Sequence, residues 1–322
     1  MIYDGFSRGS AMKANSNLKL IALWVLLLAG LMAADARAAD GEFHVSMPLD
    51  EPIMLDVDTG SGSINIRAGA GDEVTIHGEI KLGRRWFGAK PSDGEEMIRQ
   101  LQDNPPVEMR DGRLRVGYIS DRKIRKAVKI SFDITVPANT EVRADSGSGS
   151  ITVTDIAASV QADTGSGGVT LENIDGDVKA DTGSGSIRAE GIAGSFSGDT
   201  GSGSIYLVQT GPGDVEISTG SGSSELKGVI GAVNASAGSG RIIVEGRQAG
   251  DWRLDTGSGS VRVTLPDDAA FNLKAETNSG GIDIDHPLTV NGRVSDREIS
   301  GTVRGGGHLL DIDTGSGGIK IR

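Results

Sequence analysis

The sequence predicts an all-β solenoid of stacked parallel coils, and three observations carry that prediction. First, the string Asp-Thr-Gly-Ser-Gly or a near variant recurs ten times in 322 residues. With the first Gly of each copy as position zero, the corners fall at Gly60, Gly147, Gly165, Gly183, Gly201, Gly220, Gly238, Gly257, Asn278 and Gly315. From Gly147 onward the steps are 18, 18, 18, 19, 18, 19, 21 and 37 residues, a short period that marks coils resting on their neighbours. Second, apolar residues alternate on both sides of each corner, as in Val178 and Ala180 before Gly183 and Ile187 and Ala189 after it, which means strand, corner, strand. Third, 49 Gly residues and only 4% aromatics suit turn-rich β structure better than packed helices.

In chain order, Lys13 and Lys19 precede an apolar run from Leu20 to Ala34, and Ala36-Arg37-Ala38 follows. A basic flank, an apolar stretch too short for a membrane span and a small-x-small site predict a signal peptide over residues 1–38. The mature chain then begins near Ala39 with 28 basic and 42 acidic residues, a formal charge of −14. Export to the periplasm, cell surface or extracellular space is the expectation, with no membrane span after signal cleavage. The acid excess disfavours nucleic acid and anionic membranes as partners. There is no Cys, which excludes disulfides and thiol chemistry.

Residues 39–322 form the predicted solenoid domain, interrupted by an insertion at 81–127 where the period breaks. Within it, GRRWFGAKPSDGEEMIRQLQDNPP carries a capping pattern at Ser92 with Glu95 three residues on. A short helix to about Gln102 and a stop at Pro105-Pro106 follow. Arg84, Arg85, Trp86 and Phe87, with the basic stretch Arg122, Lys123, Arg125, Lys126 and Lys129, make the insertion a candidate partner-binding surface on an acidic chain. A helix that only caps the stack is the simpler reading. Alternation resumes from Val128 to Pro137, and residues 138–322 carry the regular 18–19-residue coils.

The corner itself is informative position by position. Asn278 is the one non-Gly at position zero, which predicts a left-handed backbone there. Gly at plus two in all ten copies predicts a close approach to the next coil, and the Ser between is short enough to bond the corner backbone. Thr or Ser precedes position zero in nine copies and Ala237 in the tenth; alternation points these inward as a hydroxyl ladder. Two before zero stand Asp58, Asp145, Asp163, Asp181, Asp199, Asp255 and Asp313, a row of carboxylates about 5 Å apart whose repulsion needs an offset. An Asx-type bond from each carboxylate to the corner Gly amide is the expected offset. Calcium along the row is the competing reading, disfavoured because the acidic-glycine nonapeptide of calcium-binding β-rolls is missing and the period is twice as long.

Catalytic readings find little support. A phosphate loop needs a helix after its glycines and usually a Lys, whereas here strands follow and no Gly-Lys-Ser/Thr occurs. His44, His77, His286 and His308 are scattered, and the one tight acid-plus-His group is Asp283, Asp285 and His286. Alternation makes Asp283 and Asp285 ordinary outward residues beside Ile282 and Ile284. No catalytic residue, cofactor or metal is expected.

The strand ending in Pro137, the repeated TGSGSI corners and the closing VRGGGHLLDIDTGSGGIKIR, Val303 to Arg322, resemble the bacterial putative-adhesin family of exported β-solenoid domains of unknown function. The resemblance runs from about residue 42 to the end. It implies a single-stranded, right-handed parallel β-helix-like fold in an envelope protein, with no catalytic residues to carry over. The function expected is therefore a non-enzymatic structural or adhesive binding module with an unknown protein or glycan ligand. A polysaccharide-acting β-helix enzyme and an envelope-stress regulatory partner, contacted through the insertion, are the alternatives.

Overall fold

The computed structural model describes residues 40–49, 51–83, 91–290 and 295–322; the signal peptide predicted over residues 1–38 lies outside them. Each regular coil consists of two strands joined by a Gly-rich corner. The strands before the corner, Glu141–Ser146, Val160–Thr164, Val178–Thr182, Phe196–Thr200 and Val215–Thr219, pair in parallel as one sheet. Those after it, Ile151–Ile156, Val169–Ile174, Ile187–Ile192 and Ile205–Gln209, pair in parallel as a second. Register is kept residue for residue, so Val142, Val160, Val178, Phe196 and Val215 lie over one another.

The alternation read from the sequence explains this register. A one-residue slip would turn every apolar side chain out to solvent. Both strand faces meet in a narrow dry core, and Ile156, Ile174 and Ile192, wholly buried, close its third side. Further along, two strands run unbroken round that third side, Ser224–Ala237 and Ile242–Thr256, with register shifts where they bend.

At the N-terminal end the first coil, Met54–Thr59 and Ile64–Gly69, pairs directly with Glu141–Ser146 and Ile151–Ile156 despite the insertion between them. The second sheet continues outward through Val128–Pro137, parallel to Ile64–Gly69, and then through Glu73–Leu82 and Asp40–Pro48, both antiparallel. The insertion supplies the hairpin Val107–Arg110 and Arg113–Val116, which extends the first sheet. The helix Pro91–Asp103 packs against Asp40–Pro48, burying Ile98 and Leu101, and Gln102 Nε2 donates to the Glu42 carbonyl at 3.1 Å. It starts at Pro91, so Ser92 lies in its first turn and is not its cap. A second helix, Arg122–Ala127, was not expected: Asp121 caps it, one carboxylate oxygen accepting from the amides of Lys123 at 2.6 Å and Ile124 at 3.4 Å.

At the C-terminal end the spatial order departs from the chain order. His308–Thr314 lies between Ile242–Thr256 and Phe271–Thr277, parallel to both. Ile319–Ile321 likewise lies between Val261–Thr264 and Ile282–Ile284. The chain thus lays down its outermost coil at 271–284, returns through Leu288–Val290 and the antiparallel Glu298–Val303, and threads its last coil inside.

Candidate functional site

All ten corners form one column, and the glycine chemistry of the sequence follows from its tightness. A Cβ on the plus-two glycines Gly149, Gly167, Gly185 or Gly203 would stand 1.7–2.0 Å from the carbonyl oxygen of the equivalent glycine in the preceding coil, so the expected close approach is found. The same reason governs position zero. A Cβ on Gly147, Gly165, Gly183 or Gly201 would come within 2.3–2.5 Å of the carbonyl oxygen beneath it, while Gly60, at the start of the column, has nothing within 4 Å. The expected left-handed backbone at position zero is a misreading: neither Asn278 nor these glycines has a positive φ, and at Gly147, Gly165, Gly183 and Gly201 it is crowding that selects Gly. The left-handed column stands eight residues on, at Asp155 (φ 62°), Asn173 (56°), Gly191 (73°) and Gly228 (68°), types that tolerate it.

The inward hydroxyls form the expected ladder. Thr182 Oγ1 donates to the Gly167 carbonyl of the coil before at 2.9 Å and accepts from the Gly185 amide of its own corner at 3.0 Å. Thr164, Thr200 and Thr219 repeat both bonds. Each hydroxyl thus ties two coils together and satisfies two backbone groups. The serines between the glycines, such as Ser148, Ser166 and Ser184, are exposed and leave this task to Thr.

Beside the column runs an acidic groove of about 690 Å³ carrying Asp58, Asp145, Asp163, Asp181 and Asp199. The expected Asx bond is not formed. The corner amides are already taken by the coil before, Gly147 N by the Thr59 carbonyl at 2.9 Å and Gly165 N by that of Ser146 at 3.1 Å. Three of these five carboxylates are held instead from two residues earlier on their own strand: Arg143 reaches Asp145 at 3.0 Å, Gln161 reaches Asp163 at 2.8 Å and Lys179 reaches Asp181 at 3.3 Å. Partial burial raises the pKa of Asp58, Asp145 and Asp163; the Asp145 charge adds to the rise at Asp58, Arg143 opposes it at Asp145, and Gln161 opposes it at Asp163. Among the described residues, no group of three or more His, Asp or Glu side chains is placed to hold a metal ion.

A second groove, about 630 Å³, crosses the first sheet from Asp177 to Asp311. Its acids Asp177, Asp214 and Asp251 each accept a backbone amide of a neighbouring coil, from Ser195 at 2.9 Å, Ala232 at 2.9 Å and Leu309 at 2.8 Å. Sequence reasoning overlooked these three, although they stand six residues before a corner in alternate copies.

The remaining candidates do not converge. Asp283 pairs with Lys320 at 2.7 Å, which lowers its pKa, and Asp285 pairs with Arg322 at 3.6 Å, both outward as alternation required. His286 turns away into the core, edge-on to Phe271 with ring centroids 5.6 Å apart. In the insertion, Tyr118 donates to the buried Asp56 at 2.9 Å, and burial with that bond pushes its pKa up to about 12. Arg122, Lys123, Arg125 and Lys126 are exposed. Arg84, Arg85, Trp86 and Phe87 lie outside the described residues.

A family model described as Toastrack DUF4097 matches residues 93–322. Nothing among curated proteins matches. Two crystal structures are similar over 87% of this chain, each at 13% identity. One is described as a putative cell adhesion protein from Clostridium sporogenes, with 98% of its chain covered and a TM-score of 0.24. The other is described as a putative adhesin from Bacteroides fragilis, with 97% covered and a TM-score of 0.37.

Proposed function

We propose, from the premise that this chain belongs to the toastrack DUF4097 family, that it is an exported, non-enzymatic binding module of the periplasm or cell surface. The observation that carries this reading is the commitment of its acids to structure. Along the larger part of both grooves the carboxylates are engaged in register, by a strand neighbour in one and by backbone amides in the other. A polysaccharide-acting site needs acids converging on one bond, about 5 to 9.5 Å apart and free to exchange protons. A rigid face repeating at about 4.8 Å suits a protein or glycan surface contacted at many weak points.

A screen of acidic glycans for both binding and product release tests the reading. Retention without turnover supports it. Turnover abolished by Asp283→Asn or Asp285→Asn would overturn it. A second reading, a regulatory protein partner docking on the insertion, is favoured by one observation: the helix Arg122–Ala127 exposes four cations on an acidic chain. Capture of that partner by the full chain, and its loss when Arg122, Lys123, Arg125 and Lys126 are changed to Ser, is the corresponding test.

A further inference from the structure

The four histidines are scattered along the sequence, but strand register sets two of them side by side. Asp40–Pro48 and Glu73–Leu82 run antiparallel, and His44 stands directly opposite His77. Both side chains lie on the outer face, because the residues that alternate with them, Phe43 and Val45 on one strand and Ile76 on the other, go into the core. Directly opposite residues of an antiparallel pair have Cα atoms about 4.5–5.5 Å apart. Here the two imidazoles lie face to face, with ring centroids 4.3 Å apart and planes 6° from parallel. Glu42, the next outward residue on the first strand, brings Oε2 to 3.4 Å from His77 Nε2. That nitrogen is shut off from solvent and makes no hydrogen bond. Asp133 stands opposite His77 on its other side, and Glu79, paired with Lys81 at 2.5 Å, stands opposite Glu42.

We propose that His44 and His77 form a binding site for a divalent transition-metal ion, zinc or copper(II), with water completing its coordination. Imidazole is the side-chain ligand that both ions accept, and it binds them in its neutral form. Such an ion bonds an imidazole nitrogen at about 2.0–2.1 Å, so the edges of two rings stacked at 4.3 Å lie within reach of one ion. The lone pair of a ring nitrogen lies in the ring plane. A tilt of each ring about its Cβ–Cγ bond therefore turns the two lone pairs from parallel to convergent. Two side chains leave coordination positions for water, and the Glu42 carboxylate beside them offsets the charge of the ion and can accept a hydrogen bond from that water. The strand Asp40–Pro48 is the last of its sheet and pairs only with Glu73–Leu82 among the described residues, so an ion held by one residue of each strand clamps that edge.

The chain has four His and no Cys, so the full chain without a histidine tag offers few competing ligands of nitrogen or sulfur. Zinc chloride titrated into it and followed by calorimetry should report one site per chain, with copper(II) chloride bound more tightly, as the order of stabilities for these ions requires. His44→Gln and His77→Gln should each weaken zinc binding by about tenfold or more, the least that even an outer-shell partner of a metal is worth. His308→Gln, near the C-terminal end of the stack, should leave it unchanged. Nuclear magnetic resonance of the wild-type chain guards against a variant that misfolds: one equivalent of zinc should shift the imidazole signals of His44 and His77 and leave those of His286 and His308 in place. Zinc binding that survives both substitutions is an adventitious ion only and overturns the proposal. Imidazole signals of His44 and His77 that do not move, or a wild-type chain that binds no zinc, overturn it equally.

Discussion

Replacing Thr219 by Val tests the hydroxyl ladder at its most demanding point. Val keeps the β-branched shape and removes only the hydroxyl. Thr219 Oγ1 donates to the Gly203 carbonyl and accepts from the Gly222 amide, both at 3.0 Å, and Thr219 and both glycines are buried. Two backbone groups are therefore left without partner or water, at about 1–3 kcal/mol each. The methyl that replaces the hydroxyl returns about 0.8 kcal/mol through burial. The net expectation is a loss of about 1–5 kcal/mol, local to one corner. Stacked coils need not unfold in one step, so two observables are required. The denaturant midpoint followed by circular dichroism should fall, and hydrogen exchange should show faster exchange at the Gly222 amide with distant coils such as 151–164 unchanged. An unaltered midpoint with an equally protected Gly222 amide would refute the ladder as a source of stability.

The reciprocal change, Ala237→Thr, restores the missing rung between Thr219 and Thr256 and should raise the midpoint by the equivalent of about 1–2 kcal/mol; a lowered midpoint would show that this corner has no room for a side chain its neighbours hold. Ser224 stands in the inward row between Ile205 and Ile242, 1% exposed and with its hydroxyl unpartnered. Ser224→Val should stabilise by about 1–3 kcal/mol in thermal melts, and an unchanged melting temperature would count against the unsatisfied hydroxyl. The raised pKa of Asp163 means that the folded chain holds this proton more firmly than the unfolded one, so its contribution to stability falls as the pH rises above the ordinary Asp value of 3.8. Asp163→Asn should melt higher than wild type at neutral pH, with the gap closing as the pH falls toward that value; a gap independent of pH would reject the assignment. Calcium at millimolar level should leave the melting temperature of the wild-type chain unchanged, and a rise that Asp163→Asn abolishes would restore the calcium reading of the acidic row.

The sequence by itself determined what repeats. Alternation decided which residues face inward, and the invariant plus-two Gly and the recurring Thr decided where backbones touch and how their polar groups are satisfied, because each is a local rule applied in every coil. Local rules mislead when two causes select the same residue type. Gly at position zero fitted a left-handed turn as well as a crowded contact, and only the 2.3–2.5 Å approach of a neighbouring carbonyl separates them. The Asx bond failed for a related reason, since the Gly amide it needed was already engaged by another coil. In the insertion, Asp121 ahead of an Arg/Lys-rich run was the available signal for the second helix, since an Asp in that place caps the run that follows it.

The order of the last two coils was decided by tertiary structure alone. Trp252, Leu310 and Leu273 are all apolar at the same corner-relative position, as are Leu254, Ile312 and Ala275, so either coil could rest on 252–264 without breaking the pattern. What places the C-terminal coil inside is pairing between segments far apart in the chain, with Glu298–Val303 holding the outer side of Phe271–Thr277. A periodic sequence specifies the shape of each layer. It leaves the succession of equivalent layers to the connections between them, which carry no period of their own.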